Sequence, residues 1–104
     1  MKLLITGIKR ITDFDLSAYI PKNTECIITG GNKGIEAIAS KYADENKIEK
    51  HIFIAENNLN GKINRAMVDE ADAILIFWDG KTKNTVNIAN YASKIGKSVT
   101  VIFI

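Results

Sequence analysis

The sequence predicts an open, doubly wound α/β fold, and three observations predict it. Five apolar runs of strand length recur along the chain, and they are continuous rather than alternating, as strands covered on both faces require. The segments between them carry apolar residues at helical spacing. The connections are short, so strand and helix alternate along the whole chain.

Taken in order, "KLLIT" (2–6) reads as the first strand. "DFDLSAYI" (13–20) reads as a short helix, capped at Thr12 or Asp13 and stopped by Pro21. "ECIIT" (25–29) is the second strand. The helix "GIEAIASKYADEN" follows, with Ile35, Ile38, Ala39, Tyr42 and Ala43 forming one stripe. "HIFIA" (51–55) is the third strand, and a helix over 61–71 carries Ile63, Met67 and Ala71 on one side. "AILIFW" (73–78) is the fourth strand. The last helix aligns Thr85, Ile88, Ala89, Ala92 and Ile95, and Gly96 is placed to end it before the fifth strand "SVTVIFI" (98–104). Right-handed crossovers leave few topologies for such a chain. The expectation is a Rossmann-like open parallel sheet of five strands in the order 3-2-1-4-5, with helices on both faces.

The 104 residues make one domain, 1–104, long enough to bury a core. A net charge of +2 supplies no strong basic field, so a nucleic-acid partner is not demanded, although "GIKR" and "DGKTKN" can form a local patch. Cys26 is the single cysteine; it lacks partners for a metal site and reads as a small buried hydrophobe. The opening "MKLLITG" has an apolar run too short for a signal peptide or a membrane span, so a cytoplasmic protein without a membrane partner is expected.

In sheets of this order, ligands bind outside the carboxyl ends of the strands, where the strand order reverses. Here that point lies between strands 1 and 4. The loops "TGIKR", "TGGNKG" and "WDGKTKNT" meet there, and they hold five of the seven glycines. Gly30, Gly31 and Gly34 open a helix whose first turn offers unpaired N–H groups, the physical basis of a phosphate cradle. They match neither a Walker loop nor a dinucleotide fingerprint, and a tight turn with Gly34 allowing close helix–strand packing is the competing reading. Glu36 in the first helical turn compensates the dipole. Glu56, 22 residues beyond Gly34, stands where a ribose-binding acid would be. Asp79-Gly80 is a turn pair, and Thr85 either caps the last helix or donates a hydroxyl to an anion. Trp78 at its strand end either stacks on a base or ring or belongs to the core or to a subunit contact. Lys9 and Arg10, with Lys81 and Lys83, are the cations available to an anion, Arg10 being suited to bidentate binding. Together the loops point to a small, anionic, ring-bearing ligand.

The segments "KLLITGIKRITDFD", "ITGGNKGIEAIASKYA", "NRAM" and "ADAILIFWDGKTKNTVNIANYASKIGKSV" resemble the SLOG superfamily. These are Rossmann-like domains related to the Lonely Guy phosphoribohydrolases, the molybdenum-cofactor carrier proteins and the DprA-type DNA-processing proteins, and the likeness is to the small YspA-type branch. The resemblance covers nearly the whole chain. It implies a nucleotide or nucleotide-derived ligand held at the glycine motifs, no required cofactor, and a homodimer. Residue by residue, Gly30, Gly31 and Gly34 match a G-G-x-x-G element and Glu36 the acid that follows. Trp78, Asp79 and Gly80 match W-D-G, and Thr85 matches the threonine of a G-T pair whose glycine is replaced by Asn84. The branch's T-G-S-R loop is Thr6, Gly7, Ile8 and Lys9 here, with Arg10 as the substitute arginine. Of an arginine–asparagine pair only Asn64 is retained. The resemblance and the loops together nominate Gly7, Lys9, Arg10, Gly30, Gly31, Asn32, Gly34, Asn64, Trp78, Gly80, Thr82 and Thr85 for ligand binding.

Phosphoribohydrolases of the superfamily carry a glutamate that acts at the N-glycosidic bond, and the matching position here is Ile88. Glu36 and Asp79 are the carboxylates left for general acid–base work at such a bond. His51 reads as lying away from the site. Three functions compete: a binding or sensing domain for a nucleotide-derived ligand, which is the preferred expectation; a nucleotide N-glycoside hydrolase; and a single-stranded nucleic-acid binder of the DprA kind, which the near-neutral charge disfavours.

Overall fold

A computed structural model of the protein describes residues 1–54 and 60–104, and of residues 60 and 61 the backbone only. The elements are β1 (Lys2–Gly7), β2 (Cys26–Gly30), α1 (Ile35–Glu45), β3 (Glu49–Phe53), α2 (Asn60–Glu70), β4 (Ala73–Trp78), α3 (Lys83–Lys94) and β5 (Ser98–Phe103). All strand pairs are parallel and the order is β3-β2-β1-β4-β5, the Rossmann-like open sheet that the sequence predicts.

The continuous apolar strands acquire their meaning from the two faces they supply. Leu3, Ile5, Ile27, Leu75 and Phe77 point to one face and pack with Ile35, Ala39 and Ala43 of α1. Leu4, Ile28, Ile74 and Ile76 point to the other and pack with Met67 and Val68 of α2 and Ile88 and Ala92 of α3. Each such buried aliphatic or aromatic side chain contributes about 1.5–3 kcal/mol relative to exposure, so the two layers together carry the fold. Cys26 is buried in the second layer. The last helix closes with Gly96 at φ 82°, where the Gly96 N–H donates to the Ser93 carbonyl and the Lys97 N–H to that of Ala92, a Schellman cap.

Two expectations are corrected. Residues 13–20 form no helix. Asp15 Oδ1 accepts from both the backbone N–H (2.9 Å) and the hydroxyl (2.6 Å) of Ser17, so the side chain takes over the turn, and one bond from Tyr19 N to Leu16 O follows before Pro21. The apolar residues are used without a helix: Leu16 is 1% exposed, and the rings of Phe14 and Tyr19 lie 5.0 and 5.4 Å from that of Phe77. The segment thereby covers the sheet face beside α1. The third strand starts two residues early, at Glu49, because an edge strand tolerates polar residues: Lys50 pairs with Asp44 (2.9 Å) and His51 with Glu70. Residue 55 and Glu56 lie outside the described residues. Among the described residues no helix is long and apolar enough to cross a membrane.

Candidate functional site

The carboxyl ends of β1, β2, β3 and β4 surround a cavity of about 570 Å³, in the roughly 300–1,000 Å³ range of ligand sites. It lies at the point where the strand order reverses, as the topology requires. The structure brings to it Gly7, Lys9 and Arg10 after β1, Gly30, Gly31, Asn32 and Glu36 after β2, Asn64 from α2, and Asp79, Thr82 and Thr85 after β4.

Glu36 forms the floor. It is 5% exposed, and its carboxylate turns back over the strand ends instead of facing solvent. Thr6 Oγ1 donates to Oε2 (3.0 Å) and the Asn32 N–H to Oε1 (3.2 Å). Gly30 makes room for it, since a Cβ there would stand 2.6 Å from Glu36 Oε1.

This changes the reading of the glycine cluster. Two of the donors that a phosphate would use are engaged within the protein: Asn32 N by Glu36 (3.2 Å), and Ile35 N by the Ile8 carbonyl (3.1 Å). Gly34 is buried at φ 81°, and a Cβ on it would run into the Ile8 carbonyl and the Lys9 backbone. Its role is the close crossing of two chain segments, and it does not line the cavity.

The N-terminus of α3 is different. Its N-cap, Thr82, makes no side-chain capping bond, and the first turn holds no acid. Thr85, expected either to cap the helix or to donate its hydroxyl to an anion, is not the N-cap but sits inside the first turn, buried and lining the cavity. Helix ends of this kind favour anions. Lys9 and Arg10 are exposed on the same cavity wall.

Asp79 holds the loop that leads into α3. Its Oδ1 accepts from Lys81 N (2.9 Å), Thr82 N (3.1 Å) and Thr82 Oγ1 (3.1 Å), and Oδ2 faces Arg10 Nη2 at 3.2 Å. The backbone N–H groups of Lys81 and Thr82 chiefly hold its carboxyl below the ordinary aspartate value, with the Thr82 hydroxyl and Arg10 adding to them. One carboxylate is thus committed to the loop and the other to the floor.

Trp78 and Gly80 are not brought into the cavity. The Trp78 indole N–H donates to the Thr82 carbonyl (2.9 Å), and its ring lies 5.5 Å from that of Phe103, half-buried against the second core layer. His51 lies elsewhere too, 2.8 Å from Glu70 and beside Lys2 and Cys26. No group of three or more His, Cys, Asp or Glu residues that would hold a metal occurs among the described residues.

Sequence reasoning missed the apolar side of the cavity. Phe53 and Ile54 at the end of β3, and Ile63 and Met67 of α2, line it. Ile63 and Met67 were legible only as a helix stripe, because periodicity gives a direction toward the sheet and not where along the sheet the stripe overhangs its end. Asn84, which breaks the G-T pair, also lines the cavity, and its Oδ1 accepts from Asn64 Nδ2 at 2.8 Å, tying α2 to α3.

By strand order the cavity runs from an apolar end over β3, past the Glu36 carboxylate at β2 and β1 and the cations Lys9 and Arg10 after β1, to the α3 N-terminus after β4. Three strand spacings separate its ends, about 14 Å. The fold and the cavity define an open α/β domain with an amphipathic pocket at its switch point. No family model, curated protein or solved structure matches the chain.

Proposed function

We propose that the protein binds a nucleotide or nucleotide-derived ligand in this cavity, as a binding or sensing domain of the SLOG type. One observation carries the reading: the cavity is apolar at one end, around Phe53, Ile54 and Met67, and at the other presents a helix N-terminus with no side-chain cap from Thr82 and no acid in its first turn, with Lys9 and the Asp79-paired Arg10 lining the same cavity. A ring joined to a phosphate has that same division. The phosphate is assigned to the N–H groups of Asn84 and Thr85 instead of to the glycine cluster, where Asn32 N and Ile35 N are engaged and the Glu36 carboxylate stands in the first turn. Binding without turnover is favoured because Ile88, where the phosphoribohydrolases carry their glutamate, is 2% exposed in the core, and Asp79 is tied to its loop.

Isothermal titration with the nucleoside 5′-monophosphates tests this. Saturable binding is expected, weakening about tenfold in Lys9→Ala/Arg10→Ala, where roughly two charge contacts worth about 0.7 kcal/mol each are lost. No binding of any nucleotide by the folded protein rejects the proposal. Binding only to oligonucleotides, with a steep salt dependence, replaces it with the nucleic-acid reading.

A further inference from the structure

We propose that Glu36 makes the cavity selective for ribose over deoxyribose, so that the ligand is a ribonucleotide; the inference rests on the nucleotide reading above. A carboxylate is an acceptor only, with about four lone-pair sites on two oxygens. Thr6 Oγ1 and Asn32 N fill one on each oxygen of Glu36. The group is 5% exposed and lines the cavity, so its remaining acceptor sites are turned toward whatever occupies the cavity. A ligand that displaces water there must bring donors to it, because an unpaired buried acceptor is costly.

The part of the ligand that meets Glu36 follows from strand order. Glu36 touches the ends of β1 and β2 through Thr6 and Gly30, the two strands between the apolar wall after β3 and the anion end after β4. The phosphate cannot be the group at Glu36, since it is itself an acceptor and carries the same charge. The ring belongs against Phe53 and Met67. What remains in the middle is the sugar, and its donors are the vicinal 2′- and 3′-hydroxyls. Gly30 keeps this position open, because a Cβ there would force the carboxylate away from where it now stands.

The experiment compares, by isothermal titration, the four ribonucleoside 5′-monophosphates with their 2′-deoxy and 3′-deoxy counterparts, and ribose 5-phosphate with 2-deoxyribose 5-phosphate. Hydrogen bonds to a charged group correspond to roughly 10- to 100-fold in affinity, so the deoxy compounds are expected to bind more weakly by that factor. In Glu36→Gln, with folding checked by circular dichroism, the ratio of ribo- to deoxyribonucleotide affinity should fall toward one. The comparison on the unaltered protein decides the matter even where the variant does not fold. Ribo- and deoxyribonucleotides binding within about twofold of each other would overturn the inference and leave the nucleotide reading intact. A preference that follows the base amino group, blind to the sugar, overturns it as well. Failure of every compound to bind rejects both.

Discussion

Gly30→Ala probes the floor of the cavity most sharply. The added Cβ would stand 2.6 and 2.8 Å from the two Glu36 carboxylate oxygens, and 2.9 Å from the carbon that joins them. These atoms are the far end of a flexible side chain, so the strand stays and the carboxylate swings out toward the cavity. The cost is then the loss of the bonds from Thr6 Oγ1 and Asn32 N, partly offset by rehydration and by about 0.4–1 kcal/mol of unfolded-state entropy removed with the glycine. Bonds to a charged group carry about 1.5–3 kcal/mol, so a net loss of about 2 kcal/mol is expected, or roughly 8–16 °C in midpoint for a domain of this size. The same substitution in a Glu36→Ala background meets no carboxylate and should be neutral or slightly stabilising. The coupling is therefore about 2 kcal/mol, well above the ~0.5 kcal/mol of independent sites. Urea unfolding followed by the fluorescence of Trp78, the single tryptophan, measures all four corners of the cycle. Equal costs in the two backgrounds would refute the placement of the carboxylate over Gly30.

Other expectations follow from single positions. Lys47 closes α1 at φ 54°, with its N–H on Asp44 O and that of Ile48 on Ala43 O, so Lys47→Gly should gain about 1 kcal/mol in the same assay. Gly34→Ala combines positive φ with a collision against the Ile8 and Lys9 backbone, and circular dichroism should show loss of the fold. Gly31→Ala should be tolerated, because its nearest neighbour is the Ile54 side chain at 3.2 Å, itself 65% exposed. The Asp79 carboxyl titrates below its ordinary value, so its contribution is complete above the ordinary aspartate range and is lost as pH falls through the lowered folded value. Asp79→Asn should flatten the acid limb of a stability–pH curve below about pH 4, with Asp15 supplying part of what remains, and should speed hydrogen exchange at the Lys81 and Thr82 amides.

The strand order was legible because four strands and part of the fifth repeat the same signal, an apolar run that fills both faces, and crossover handedness leaves little choice beyond that. The segment 13–20 was not, since its Asp, Ser and Tyr fit a helix start as well as a turn, and the choice depends on where the Asp15 side chain goes. Glu36 shows the same limit at the site. Its place in the first turn is visible in the sequence, but that position is compatible with an exposed acid facing the dipole and with a carboxylate folded back onto Thr6. Gly30 opposite it was the available signal, a residue without a Cβ at the end of a buried strand. Trp78 ends a strand beside the site, and which way its ring turns depends on the Thr82 carbonyl that accepts its N–H and on Phe103 beside it, neither of which the strand pattern reveals.

The central claim is that an anion-bearing nucleotide sits at the α3 N-terminus and not in the glycine cluster. An amide-resolved NMR titration with adenosine 5′-monophosphate, extended to the other nucleoside monophosphates if that one is silent, tests it most directly. The account predicts saturable shifts that are largest at the Asn84 and Thr85 amides, with the Ile35 amide, which donates to Ile8, moving little. Shifts centred on residues 31–35 with Asn84 and Thr85 unmoved, or no shifts with any nucleotide, would contradict it.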